Sequence, residues 1–127
     1  MTARLCTAYR RLGFDKVFDV NMGADITTMV EAEELVERLT EKWKQPATAT
    51  SFAKVGPMFT SCCPGWVKFA GFYYPEILPN LTTARSPQIH SGGAYKWWWS
   101  QKAGIDPKNV IVVSLMPCTS KQTWMNP

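Results

Sequence analysis

Apolar positions along the chain repeat at three- and four-residue steps in four stretches and crowd together in three shorter ones. Residues 2–12 carry a helical pattern that Gly13 stops. Met29, Ala32, Val36, Leu39 and Trp43 hold the helical step through 27–44, the best-patterned helix of the chain. Its acids come early (Glu31, Glu33, Glu34, Glu37) and Lys42 and Lys44 come late, the order that the helix dipole favours. Residues 21–25 read as a loop, with Asp25 or Thr27 as the cap of that helix. Residues 64–74 place Trp66, Phe69, Ala70 and Tyr73 on one side, and Tyr74-Pro75 ends this third helix. Ser86-Pro87 opens a fourth helix through about Lys102, closed by Gly104. The shorter apolar runs are 16–20, 58–61 and 110–115. The last is apolar on both faces, as buried parallel strands are. Between these elements, 46–57 is a mostly polar connection, 80–85 a loop or short strand, and Asp106-Pro107 a turn.

Helices alternating with strands predict an α/β fold, a parallel-stranded layered sheet flanked by helices. Functional loops in such folds gather at the carboxyl ends of the strands. Composition narrows the class further. The 127 residues make one domain or a piece of a larger one, and the last seven complete no further element, which predicts truncation. The net charge is +4, but the basic residues are scattered, so nucleic-acid binding is not expected. No apolar stretch reaches the roughly 18 residues of a membrane span. Four cysteines without a signal peptide or regular spacing do not predict a disulfide framework; a reducing compartment fits better.

The chemistry centres on Thr60-Ser61-Cys62-Cys63-Pro64-Gly65-Trp66. Pro64 suits the first turn of a helix, where its missing N–H costs nothing. The cysteines then sit at a helix N-terminus, where the dipole favours thiolate. Neighbouring side chains on a helical turn point about 100° apart. The two sulfurs therefore suit different tasks, one of them metal binding. Cys118 also comes after a strand-like run, so it and the pair are expected to meet at one sheet edge. Two or three thiolates do not complete an iron–sulfur site, which usually takes four. Cys6 reads as a helix-face residue. His90, the sole histidine, reads as polar surface or a satisfied partner. At least one residue of Trp97-Trp98-Trp99 is expected in the core.

The 60–66 motif, with Met116-Pro117-Cys118-Thr119-Ser120-Lys121 about fifty residues later, resembles the first two signature motifs of the iron-only (FeFe) hydrogenases. Gly23-Ala24-Asp25, Leu78-Pro79-Asn80 and Ser86-Pro87-Gln88 resemble that family too, from about Arg10 to Lys121. The resemblance implies that residues 1–127 are part of the catalytic domain, one lobe around the H-cluster, without its C-terminal cysteine motif. That cofactor joins a 4Fe-4S cubane to a di-iron centre carrying CO, cyanide and a bridging dithiolate amine. By resemblance, Cys63 and Cys118 ligate the cubane and Cys62 is the proton donor. Lys121 holds a cyanide, Met116 lines the cofactor and Gln88 lies nearby. A proton path by resemblance runs through Glu31, Glu34, Thr82 and Arg38. Glu31 and Glu34 are three apart and Glu34 and Arg38 four apart, so they share a helix face. Periodicity alone reads that face as solvated and ion-paired. The implied reaction is reversible reduction of protons to dihydrogen, with ferredoxin as electron partner and the rest of the domain as structural partner. Trp124 departs from the pattern, which has Glu there. The alternative is a non-enzymatic hydrogenase-like iron–sulfur protein for cluster assembly or sensing. Such relatives tend to lose the first cysteine of the pair, which is intact here. With two of four cubane ligands, these residues by themselves are expected to lack activity. The family implies a cytoplasmic or organellar setting.

Overall fold

The computed structural model describes residues 2–44 and 56–124, with side chains over 3–41 and 56–122. Most of the predicted connection over 46–57, and the side chains of Lys42, Trp43, Lys44 and Trp124, lie outside the described residues. The order is α1 (Thr2–Arg11), α2 (Asn21–Lys44), α3 (Pro64–Tyr73), a 3-10 turn (Pro75–Asn80) and α4 (Pro87–Gly93). A π-helical stretch (Ala94–Trp99) and α5 (Ser100–Lys102) continue α4. Two 3-10 turns come after them, Pro107–Asn109 and Thr119–Trp124.

This is a helical structure, and the predicted parallel sheet is not there. Among the described residues one isolated parallel bridge, Phe59 to Leu81, is all the β-pairing. The Phe59 N–H donates to the Asn80 carbonyl (2.9 Å) and the Thr82 N–H to the Phe59 carbonyl (2.8 Å). Beyond that, side chains substitute for ladder rungs. Asn80 Nδ2 donates to the Pro57 carbonyl and Ser61 Oγ to the Thr82 carbonyl, both at 2.8 Å. A strand needs a neighbour to take its N–H and C=O groups. The 110–115 run takes no regular secondary structure and has no strand beside it among the described residues, and Ile111 is 88% exposed. Residues 16–20 are held by rings instead: Phe18 stacks on Tyr95 at 4.3 Å and meets Trp99 edge-on. Tyr95 Oη donates to the Asp19 carbonyl. The apolar runs are not helical, as expected, but they do not assemble into a sheet.

Helix ends obey local chemistry. At Gly13 (φ 99°) the Gly13 N–H reaches the Arg10 carbonyl and the Phe14 N–H the Tyr9 carbonyl. This is a Schellman stop, with the Tyr9 and Phe14 rings packed edge to face across it. Gly104 (φ 69°) repeats the pattern with Gln101 and Ser100. The start of α2 departs from the sequence reading. The helix begins six residues before Thr27, with the Asp19 carboxylate accepting from the Asn21 N–H. Thr27 is therefore interior, its hydroxyl donating back to the Gly23 carbonyl at 2.8 Å.

The early turns of α2 cross α4 in the most extensive helix contact among the described residues. A Cβ on Gly23 would collide with the Pro87 carbonyl oxygen and with Ser91 Oγ. Beside this crossing runs the 80–86 segment, where Asn80, Leu81, Thr82, Ala84 and Ser86 are all buried. Trp97 and Trp98 are exposed, while Trp99 is half-buried on Phe18.

Candidate active site

The cysteine pair opens α3 as its sequence dictates. Cys63 is the N-cap in extended conformation (φ −96°, ψ 112°) and Pro64 is the first helical residue. Cys63 is exposed, and Cys62 and Cys118 are half-buried; all are free thiols. The second motif comes to the first through the turn at 119–124, which packs on α3. Lys121 Nζ donates to the Cys62 carbonyl at 2.9 Å, joining residues 59 apart in sequence. The second motif is therefore held beside the first by a lysine clasp and helix packing, and the predicted sheet edge is not there among the described residues. Gln88, in the first turn of α4, and Met116 are half-buried. Among the described hydrogen bonds neither joins the pair.

The path residues converge more closely. Glu34 and Arg38 form an ion pair one turn apart on α2, with side chains only 13% and 12% exposed. The face is ion-paired as periodicity reads it, and the burial of this pair corrects the solvated part of that reading. Arg38 also donates to the Leu81 carbonyl at 2.9 Å. Thr82 Oγ1 donates to Glu34 Oε2 at 2.6 Å and accepts from the Ala84 N–H. Thr83 adds its N–H (3.0 Å) and hydroxyl (3.1 Å) to the same carboxylate oxygen. Sequence reasoning missed Thr83, although the Thr82-Thr83 hydroxyl doublet opposite an acidic helix was the available signal. It also missed Ser61, whose hydroxyl ties the first motif to the Thr82 carbonyl.

The two glutamates are driven apart by their surroundings. Burial alone would raise the Glu34 pKa; hydrogen bonds from Thr82, Arg38 and Thr83 outweigh it and hold the carboxyl below the usual range. Glu31 goes the other way. Burial raises it first and the Glu34 charge second, with His90 opposing. A buried Glu31 Oε1 has no hydrogen-bond partner among the described residues. Neighbouring carboxyls with opposed shifts release their protons at different pH, the pattern of a proton donor beside a proton acceptor.

Linkage gives these shifts opposite signs in stability. Glu34, depressed, adds stability above the ordinary glutamate value that is lost as pH falls through its folded value. Glu31, raised, adds stability below that value that is lost as pH rises. Thr82→Val is expected to cost about 1.5–3 kcal/mol near neutrality, the range for a hydrogen bond to a charged group. The loss should shrink at pH 4, and Thr82→Ser should restore stability. Denaturant midpoints at both pH values check this. An equal loss at both would mean that the bond to the carboxylate is not what Thr82 contributes.

Residues 1–124 match the family model of the iron only hydrogenase large subunit, C-terminal domain. The chain belongs to the iron-only hydrogenase family. It is 51% identical over 122 residues to iron hydrogenase 1 of Clostridium pasteurianum, covering 96% of this chain and 19% of that protein. It is 41% identical to the periplasmic Fe hydrogenase large subunit of Nitratidesulfovibrio vulgaris, over 95% of this chain and 27% of that one. The cytosolic Fe-S cluster assembly factor NAR1 of Candida albicans is 32% identical over 89% of this chain and 18% of its own length. Among solved structures, the apo FeFe-hydrogenase HydA1 of Chlamydomonas reinhardtii superposes with a TM-score of 0.78 at 44% identity. That match covers 94% of this chain and 27% of the algal one. The chain thus spans about a fifth to a quarter of these hydrogenases, as part of a larger catalytic domain.

The cysteines of this hydrogenase-family chain fit an iron–sulfur group in kind but not in number. Among the described residues, no three or more His, Cys, Asp or Glu gather closely enough to hold a metal ion. Cys63 and Cys118 are suited as part of a ligand set. No helix among the described residues is long and apolar enough to cross a membrane.

Proposed function

We propose that this chain forms one part of an iron-only hydrogenase that reversibly reduces protons to dihydrogen, with a ferredoxin-type carrier as electron partner. The observation that supports it most is the clasp of Lys121 on the Cys62 carbonyl, which brings the second motif to the first at the start of α3. Cys63 and Cys118 would hold the 4Fe-4S cubane together with thiolates from outside these 127 residues. When bound, the H-cluster would supply the redox-active metal site at which electrons from the carrier meet protons. The chain's own part is to hold and deliver those protons. Cys62, adjacent to a ligand yet pointing elsewhere, is the terminal donor. Glu31, Glu34 and Thr82 carry protons toward it, and Arg38 fixes Glu34. Thr82 is placed for this by its 2.6 Å bond to Glu34, since a protonated Glu34 would donate to the hydroxyl oxygen as the hydroxyl turns its own hydrogen onward. Lys121, Met116 and Gln88 line the cofactor. Four free cysteines fit a reducing compartment, cytoplasmic or organellar.

The test is anaerobic reconstitution of the full-length protein with iron, sulfide and the di-iron centre, and then hydrogen evolution from reduced ferredoxin. Cluster incorporation with turnover is expected. A cluster without turnover would favour the non-enzymatic assembly or sensing reading, which the NAR1 similarity brings with it. No cluster would overturn both.

A further inference from the structure

The crossing of α2 and α4 holds a group that the proton relay leaves out. Thr27 is 5% exposed and lies between His90 Nδ1 (2.7 Å), the Gly23 carbonyl (2.8 Å) and, more distantly, the Arg85 carbonyl (3.4 Å). A threonine hydroxyl has one hydrogen and accepts on its lone pairs. The two carbonyls can only accept, so both short contacts are satisfied together when the hydroxyl hydrogen goes to Gly23, the nearer carbonyl, and the imidazole donates from Nδ1.

Thr27 and Glu31 are four apart on α2, on one helix face. A ring fixed on Thr27 therefore stands on the stripe that carries Glu31. The buried Glu31 oxygen without a hydrogen-bond partner lies on that stripe. The crossing cannot loosen cheaply, because Gly23 packs directly against Pro87 and Ser91.

We propose that His90, clamped by Thr27, is a positioning residue that sets how tightly Glu31 holds its proton, and so adjusts proton supply from the helix crossing. Its role in turnover rests on the relay reading; the coupling itself does not. The charged groups about Glu31 are few. Glu34 on α2 raises its proton affinity and His90 on α4 lowers it. Arg38 is engaged with Glu34 and the Leu81 carbonyl. Arg85, just before α4, offers its carbonyl to Thr27. Thr82 and Thr83, on the neighbouring segment, are uncharged.

His90 is the only histidine of these 127 residues, so in ring-nitrogen NMR of the 15N-histidine-labelled full-length protein the signal lost in His90→Gln reports this one side chain. The Nδ1–H tautomer is expected. In the same chain with carboxyl-labelled glutamate, His90→Gln should move the Glu31 titration upward by about 0.5 pH unit, roughly threefold in proton affinity. Thr27→Val, nearly isosteric, should move it the same way by less, and Thr27→Ser should restore it. An Nε2–H ring, or a Glu31 titration unchanged in both His90→Gln and Thr27→Val, would overturn the proposal. In the loaded enzyme, His90→Gln should shift the pH profile of hydrogen turnover. If Glu31 titrates as expected but Glu31→Gln leaves turnover intact, the relay reading falls and the coupling stands.

Discussion

Cys62→Ser in the full-length protein is expected to leave iron and sulfide content unchanged and to lower hydrogen turnover about 10²–10⁴-fold, the range for losing a positioned proton-transfer group. The reasoning starts from the backbone. Cys63 is the N-cap of α3, and Cys62, one residue earlier, lies outside the helix. The two side chains therefore leave the chain in different directions, and one cannot replace the other. Serine keeps the size and the hydrogen-bonding position, but its hydroxyl is far less acidic than a thiol. It holds the place of a proton donor without giving up the proton readily. The Lys121 bond reaches the Cys62 carbonyl, which the substitution leaves untouched, so the clasp should survive. Cys63→Ala is the complement, expected to lower cluster content itself. Metal analysis with an activity assay on both variants separates the roles. Loss of the cluster in Cys62→Ser would mean that the two assignments are reversed.

The second large effect is on stability. Gly23→Ala is expected to cost about 3 kcal/mol, the upper part of the usual range for forcing an extra carbon into a packed contact. The new methyl would meet a backbone carbonyl as well as a hydroxyl. The hydroxyl of Ser91 can rotate away, but the Pro87 carbonyl moves only if α4 moves. Gly71→Ala is the control. Gly71 lies within α3 and is exposed, with open space where a Cβ would go. There the change should stabilise by about 0.5–1 kcal/mol through helix propensity. Denaturant midpoints of the full-length protein at constant m give both numbers. Equal outcomes for the two variants would show that the crossing is loose.

What the sequence made legible was whatever one residue decides locally. Gly13 and Gly104 stop helices where expected, because a left-handed backbone needs no information from elsewhere. Pro64 and Pro87 open helices for the same kind of reason. The start of α2 was not legible because Asn21 and Gly23 are poor helix formers, and the reason for Gly23 is a helix 64 residues away, at Pro87. The sheet expectation failed because β-propensity belongs to a residue while a strand belongs to a pair, and residues 110–115 have no pair among the described residues. In the candidate site, spacing placed Glu31, Glu34 and Arg38 on one face. Nothing in the spacing revealed that Thr82 and Thr83 would close over Glu34 and take that face out of water.

The buried positions among the described residues have a thermodynamic consequence. Thr27, Asn80, Thr82, Ser86, Ser91 and Ser100 are buried there, beside Gly23, Pro64, Ala70, Leu81 and Ala84. Meanwhile Phe72, Leu12 and Ile111 are each at least 75% exposed. The heat capacity of unfolding grows with newly wetted apolar surface and falls with polar surface. Residues that hide hydroxyls and show hydrocarbons in this way leave that apolar surface to be covered within the larger catalytic domain. The heat capacity of unfolding therefore belongs to the whole domain and not to these residues by themselves.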